Sequence, residues 1–131
     1  MIQTGASATL KRIVGAQDLA SAFGNGADEA YPDVLSTPAL LALIERACAE
    51  VMRCELEAGQ LSVGVHTQLT HSAPTPVGAE VSATATFNRR DGKLFVFDVV
   101  AHDSNGPVGS GTHARAIVDR ATIERKAAAR R

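Results

Sequence analysis

One stretch of this chain is patterned for a helix, and nearly everything downstream of it is patterned for strands. Across residues 37–56, Leu40, Leu41, Ile44, Cys48, Val51 and Met52 recur at helical spacing. That predicts a helix of about five turns with a broad apolar face. Thr37 reads as its N-cap, and Pro38 suits the first helical position, where the missing N–H is no loss. Gly59 reads as the stop. A helix this apolar has to be covered, and the rest of the chain offers strands to cover it. Residues 8–14 alternate loosely and read as a first strand. Residues 61–72 are a second, and residues 79–88 a third, with Val81, Ala83, Ala85 and Phe87 set against Ser82, Thr84 and Thr86. Asp91-Gly92 is a hairpin signal leading into residues 93–102, and Asp103-Ser104-Asn105-Gly106 leads into residues 108–119.

The expected architecture is α+β in one domain spanning residues 1–131. An N-terminal strand and an irregular, lid-like loop fill residues 1–36. A long helix follows, wrapped by an antiparallel sheet of about five strands. A basic, alanine-rich tail over residues 120–131 reads as a frayed helix or solvated end. Sheets of this kind leave edge strands open, and pairing edge to edge with a second copy satisfies them. A homodimer is therefore expected, with further assembly left open.

Composition excludes several partners. The net charge of -1 gives no pull towards nucleic acid or anionic lipid. No run approaches the roughly 18 apolar residues that span a bilayer, and residues 1–5 lack the basic start and apolar core of a signal peptide. Cys48 and Cys54, if on one helix, stand about 9 Å apart along its axis on different faces and cannot bridge. A reducing cytoplasm is the expected home. No metal-ligand spacing and no nucleophile elbow occurs, so no metal is expected.

A few residues stand out against this background. Ile44 and Cys48 centre the apolar face of the helix, with Glu45 on its flank and Arg46, Glu50 and Arg53 on the opposite side. A carboxylate so placed must pair or be hydrogen-bonded. It either snorkels, meets an arginine, or does chemistry. His71 ends a strand just before Pro74 breaks the ladder, a place where catalytic groups are often found. Gly106-Pro107-Val108-Gly109-Ser110-Gly111 lacks the lysine of a P-loop and precedes a strand, so its glycines read as close backbone packing. His113, Arg115 and Ile117 share one face by period two, and Arg115 could meet a carboxylate or a CoA phosphate. His66 and His102 have no partner identifiable from sequence.

These signals combine into a resemblance. Ser36-Thr37-Pro38-Ala39-Leu40-Leu41-Ala42-Leu43-Ile44-Glu45-Arg46-Ala47-Cys48 resembles the helix of the fluoroacetyl-CoA thioesterase-like family. The Thr-His-x-Ala-x-Thr-Pro setting of His71 is similar to that family too. So is the segment from Ala101-His102-Asp103 to Gly109-Ser110-Gly111-Thr112-His113-x-Arg115-Ala116. The likeness covers roughly residues 31–118. It implies a hot-dog fold that dimerises through its sheet, with a catalytic set of Thr37, Glu45 and His71. It further implies binding roles for the Gly64 backbone and Arg115. The family's lid uses two phenylalanines before the helix, whereas here Tyr31 stands at one of those places and Asp28 near the other. The expectation is hydrolysis of a short- or medium-chain acyl-CoA, with no cofactor beyond the CoA of the substrate. The alternatives are a non-catalytic protein that binds an acyl-CoA or related ligand, and an enoyl-CoA hydratase. The Asp–His arrangement usual for a hydratase is not found.

Overall fold

The computed structural model describes residues 1–131. Strand β1 (Ser7–Ile13) is followed by two 3-10 turns, Ala16–Asp18 and Ala20–Phe23, and by helix α1 (Thr37–Met52). A further 3-10 turn, Arg53–Glu55, leads to β2 (Gln60–His71), β3 (Glu80–Asp91), β4 (Leu94–Asp103), β5 (Gly106–Asp119) and a terminal helix α2 (Arg120–Ala129). The strands form one antiparallel sheet in the order β1-β3-β4-β5-β2, leaving β1 and β2 as its edges.

The sheet wraps α1, as the hydrophobic patterning requires. Leu40, Leu43, Ile44, Ala47, Cys48, Val51 and Met52 are buried, while Leu41 is only half-buried. They pack against Val81, Ala83, Ala85 and Phe87 of β3 and Phe95, Phe97, Val99 and Ala101 of β4. Alanines at the middle of β3 and β4 leave room for the helix, and the three phenylalanines stack obliquely at one end of the core.

Both ends of α1 depart from the sequence expectation. The N-cap is Ser36, whose Oγ accepts the Ala39 N–H at 3.1 Å. Thr37 is thereby the first helical residue and Pro38 the second, a position equally tolerant of a missing N–H. At the other end α1 stops at Met52 and tightens into a 3-10 turn. Gly59 therefore does not cap the helix; its φ of +82° serves the turn into β2. The β3–β4 hairpin also slips by one residue. Asp91 pairs with Leu94, so the loop is Gly92-Lys93, with φ +59° at Gly92. Glycine at the first loop position fits the right-handed twist of the strands.

The segment before α1 is better anchored than its composition suggests. Leu19 bridges to Leu35, and the Ser36 N–H donates to the Asp18 carbonyl at 2.8 Å. Asp18 is buried and accepts from Arg12 at 2.7 and 2.9 Å and from the Gly15 N–H at 2.8 Å. The Arg12 hydrogen bonds hold the Asp18 carboxyl below its usual range, against the opposing effect of burial. Thr75 joins this segment to the rest of the fold. Its carbonyl accepts from Leu35 N–H, and its hydroxyl donates to Asp103, each at 2.8 Å. The tail is helical, with Asp119 accepting the Thr122 N–H at 3.0 Å, but buries no residue.

Candidate active site

Moving the helix cap from Thr37 to Ser36 has a chemical consequence. Thr37 Oγ1 is free of capping and lies 2.8 Å from His71 Nδ1, joining the start of α1 to the end of β2. The two residues sit on the wall of a hollow of about 310 Å³, which Val34, Leu35, Ala73 and Pro74 also line. A second hollow of about 280 Å³ shares Thr37 and runs beneath Phe23 and Tyr31. Both aromatic rings are half-exposed. Tyr31 thus lines the second hollow beside Phe23. Phe23 was not foreseen, because only the 3-10 turn Ala20–Phe23 carries it there.

The start of α1 offers less to an anion than its position suggests. Pro38 has no N–H and Ser36 takes that of Ala39, which leaves Thr37's own among the first three residues.

Glu45 is not with these two residues. Eight residues along the helix it stands about 12 Å from Thr37 in axial rise. Its Oε1 lies 3.4 Å from Arg115 Nη1 and 3.8 Å from His113 Nε2. The pairing with an arginine, one of the readings open from sequence, is the one found within the chain. The Glu45 side chain is 42% exposed, Arg115 8% and His113 1%. Arg115 is further fixed by Ser62, whose Oγ and carbonyl accept Nε–H and Nη2–H at 2.9 Å each. A guanidinium committed in this way is a carboxylate holder rather than a free phosphate ligand.

Gly64 lies in β2 beside Arg115 of β5, at the point where a bulge shifts the register before His66. A Cβ at Gly64 would run into the Glu45 carboxylate and come within 3.1 Å of His113 Cε1. The glycine leaves the space that Glu45 occupies. Gly109 and Gly111 likewise face the β2 backbone, where a Cβ on Gly109 would stand 2.8 Å from the Thr70 carbonyl. That is the close packing their spacing suggested.

Two polar groups thus flank α1, Thr37–His71 at one end and Glu45–His113–Arg115 further along. Along β2, His71 lies seven residues beyond Gly64, roughly 20 Å at strand rise. Within one chain, Glu45 and His71 do not meet. Burial pushes the Cys48 thiol up to about 12, which makes it a core residue and no nucleophile. His113, Ser62 and Thr67 went unassigned in the sequence, although period two had already placed His113 and Arg115 on one face.

Comparison with known proteins bears on this arrangement. A family model described as FlK, fluoroacetyl-CoA-specific thioesterase, matches residues 14–121. Fluoroacetyl-CoA thioesterase from Streptantibioticus cattleyicolor is 39% identical over 88 residues, covering 67% of this chain and 63% of that protein. The chain thus spans a little under two thirds of that relative. Among solved structures, the fluoroacetyl-CoA thioesterase FlK superposes with a TM-score of 0.94 at 28% identity, covering 100% of this chain and 98% of that one. A mutant of FlK in complex with fluoroacetate and CoA gives a TM-score of 0.86 at 31% identity, over 92% and 98% of the two chains. A hot-dog-like protein from Thermanaerovibrio acidaminovorans gives 0.85 at 26% identity, over 98% and 93%. The wrapped helix is that of a hot-dog fold, and the chain belongs to the fluoroacetyl-CoA-specific thioesterase family of thioester hydrolases.

Proposed function

We propose that this protein hydrolyses the thioester of a short- or medium-chain acyl-CoA, as a homodimer whose two sites each draw on both chains. The observation that carries the reading is the 2.8 Å contact between Thr37 Oγ1 and His71 Nδ1 on the wall of a hollow. A thioester needs a nucleophile, a base for its proton and donors for the developing oxyanion. With Nδ1 as acceptor, His71 takes the Thr37 proton and the threonine oxygen attacks. With Nδ1–H as donor, Thr37 orients the ring and Nε2 draws a proton from water. In both cases the C–S bond breaks as the tetrahedral intermediate collapses, and the departing CoA thiolate takes up the proton. On the first route water, giving its proton to His71, then cleaves the acyl-threonine ester, releasing the acid and restoring the Thr37 hydroxyl. The carboxylate of Glu45, from the second polar group, supplies a further base or a nucleophile.

Sharing of the site follows from the separation of these groups in one chain. β2 is a twelve-residue edge strand with Gly64, Val65 and His66 exposed at its middle. Long open edges invite a partner. Antiparallel pairing of two β2 strands about a two-fold axis carries the His71 end of one towards the Gly64 and Glu45 end of the other. A cytoplasmic setting fits the two free cysteines. The hollow beneath Phe23 and Tyr31 takes the acyl group, and its openness towards solvent suits acyl chains beyond a two-carbon unit.

The test is free-thiol release from acyl-CoAs running from acetyl to lauroyl. Turnover by the wild type, with kcat in His71→Ala reduced about 10²- to 10⁴-fold, is the expected result. Absence of thiol release from every member by the wild type overturns the reading in favour of a binding protein.

A further inference from the structure

His113 is 1% exposed, and the proposed chemistry gives it no proton to move. Its surroundings nonetheless define its state. Nε2 lies 3.0 Å from Arg115 Nη1, and a guanidinium can only donate. Nε2 is therefore the lone-pair nitrogen and the ring proton sits on Nδ1, which donates to Thr67 Oγ1 at 2.7 Å. Burial, reinforced by the Arg115 charge, holds the ring's pKa below the ordinary histidine range, in keeping with a neutral ring. Arg115 is gripped at its three nitrogens, Nε and Nη2 by Ser62 and Nη1 by His113. What remains of the reach of Nη1 goes to Glu45 Oε1 at 3.4 Å, above the space left by Gly64. An apolar side chain at position 113 would free the Nη1 corner to swing. A cationic one would repel it.

We propose that His113 is a positioning residue, a neutral acceptor that locks the Arg115 guanidinium and through it aims the Glu45 carboxylate at the thioester. This rests on the thioesterase reading and extends it to a residue in contact with neither Thr37 nor His71.

The experiment compares His113→Leu, which removes both polar atoms, with His113→Gln, which restores an acceptor and a donor. In the dimeric full-length enzyme, His113→Leu lowers kcat about tenfold to hundredfold, as misplacement of a reacting group by about 1 Å does, with KM changed less than about threefold. His113→Gln recovers most of that loss. A purely structural role would lower thermal stability in both variants and leave kcat per folded molecule unchanged. Should His113→Leu not fold, Thr67→Val removes the acceptor of Nδ1–H and lowers kcat in its place. The proposal is overturned if His113→Leu keeps kcat within about twofold of wild type, or if a crystal structure of it shows Arg115 and Glu45 unmoved. Wild-type enzyme that releases no thiol from any acyl-CoA would instead sink the thioesterase reading itself, and this inference with it.

Discussion

The two polar groups beside α1 are built in opposite ways. Thr37 and His71 share a single hydrogen bond at the rim of a hollow, and neither is buried. His113 and Arg115 are buried beneath the sheet and fully bonded, to each other, to Thr67 and to Ser62. The first pair is open to a substrate; the second group holds one charge still. Together they resemble a division of labour in which moving parts are few and the supporting parts are overdetermined. Glu45 belongs to both, tied on one side to Arg115 and 42% exposed on the other.

That contrast predicts unequal stability effects, and this is the largest of them. Arg115→Leu leaves the His113 acceptor and the Ser62 oxygens without their donor. It should destabilise the protein by about 2–4 kcal/mol in urea unfolding. His71→Ala, at a half-buried site with one side-chain hydrogen bond, should stay within about 0.5 kcal/mol of wild type. Equal losses at the two positions would dissolve the distinction between them.

A smaller effect sharpens the same point through pH. The unfolded chain takes up a proton at His113 before the folded protein does, because burial and Arg115 depress the folded pKa while Glu45 and the His66 backbone only partly oppose this. Stability from this source is complete above pH of about 6.5 and is lost as pH falls below it, by at most about 1.4 kcal/mol per unit. The depressed Asp18 carboxyl acts in a separate window, below pH of about 4. Chemical unfolding between pH 7.5 and 4.5 should show that slope in the wild type and a shallower one in His113→Gln. Parallel curves would mean that His113 is not held neutral by the fold.

The sequence showed most of the fold because the fold depends on local periodicity. Apolar spacing placed α1, and alternation placed β3 with Val81, Ala83, Ala85 and Phe87 inward, as observed. What it could not show depended on distant partners. Ser36 and Thr37 are both residue types that cap helices. The choice between them follows from His71, 34 residues away, which engages Thr37 and leaves Ser36 to cap. Glu45 stood out as a carboxylate on a core-facing flank, yet Arg115, its partner, lies 70 residues downstream. The family resemblance, not their spacing, grouped Thr37, Glu45 and His71 as one catalytic set, and a single chain holds them as two groups, Thr37 with His71 and Glu45 with Arg115. Phe23 reaches the hollow only because a 3-10 turn, invisible in the hydrophobic pattern, carries it there.

Whether the two groups work as one site is settled most directly by mixing inactive variants. Glu45→Gln and His71→Ala are each expected to be inactive as homodimers. Unfolded together in equal amounts and refolded, they form heterodimers as about half of all dimers. If each site takes Glu45 from one chain and His71 from the other, one of the two sites in every heterodimer is intact. The account then predicts recovery of about a quarter of wild-type thiol release. If both residues must come from the same chain, every site carries one defect, and activity stays at the level of the variants alone. That second result would contradict a site shared between subunits.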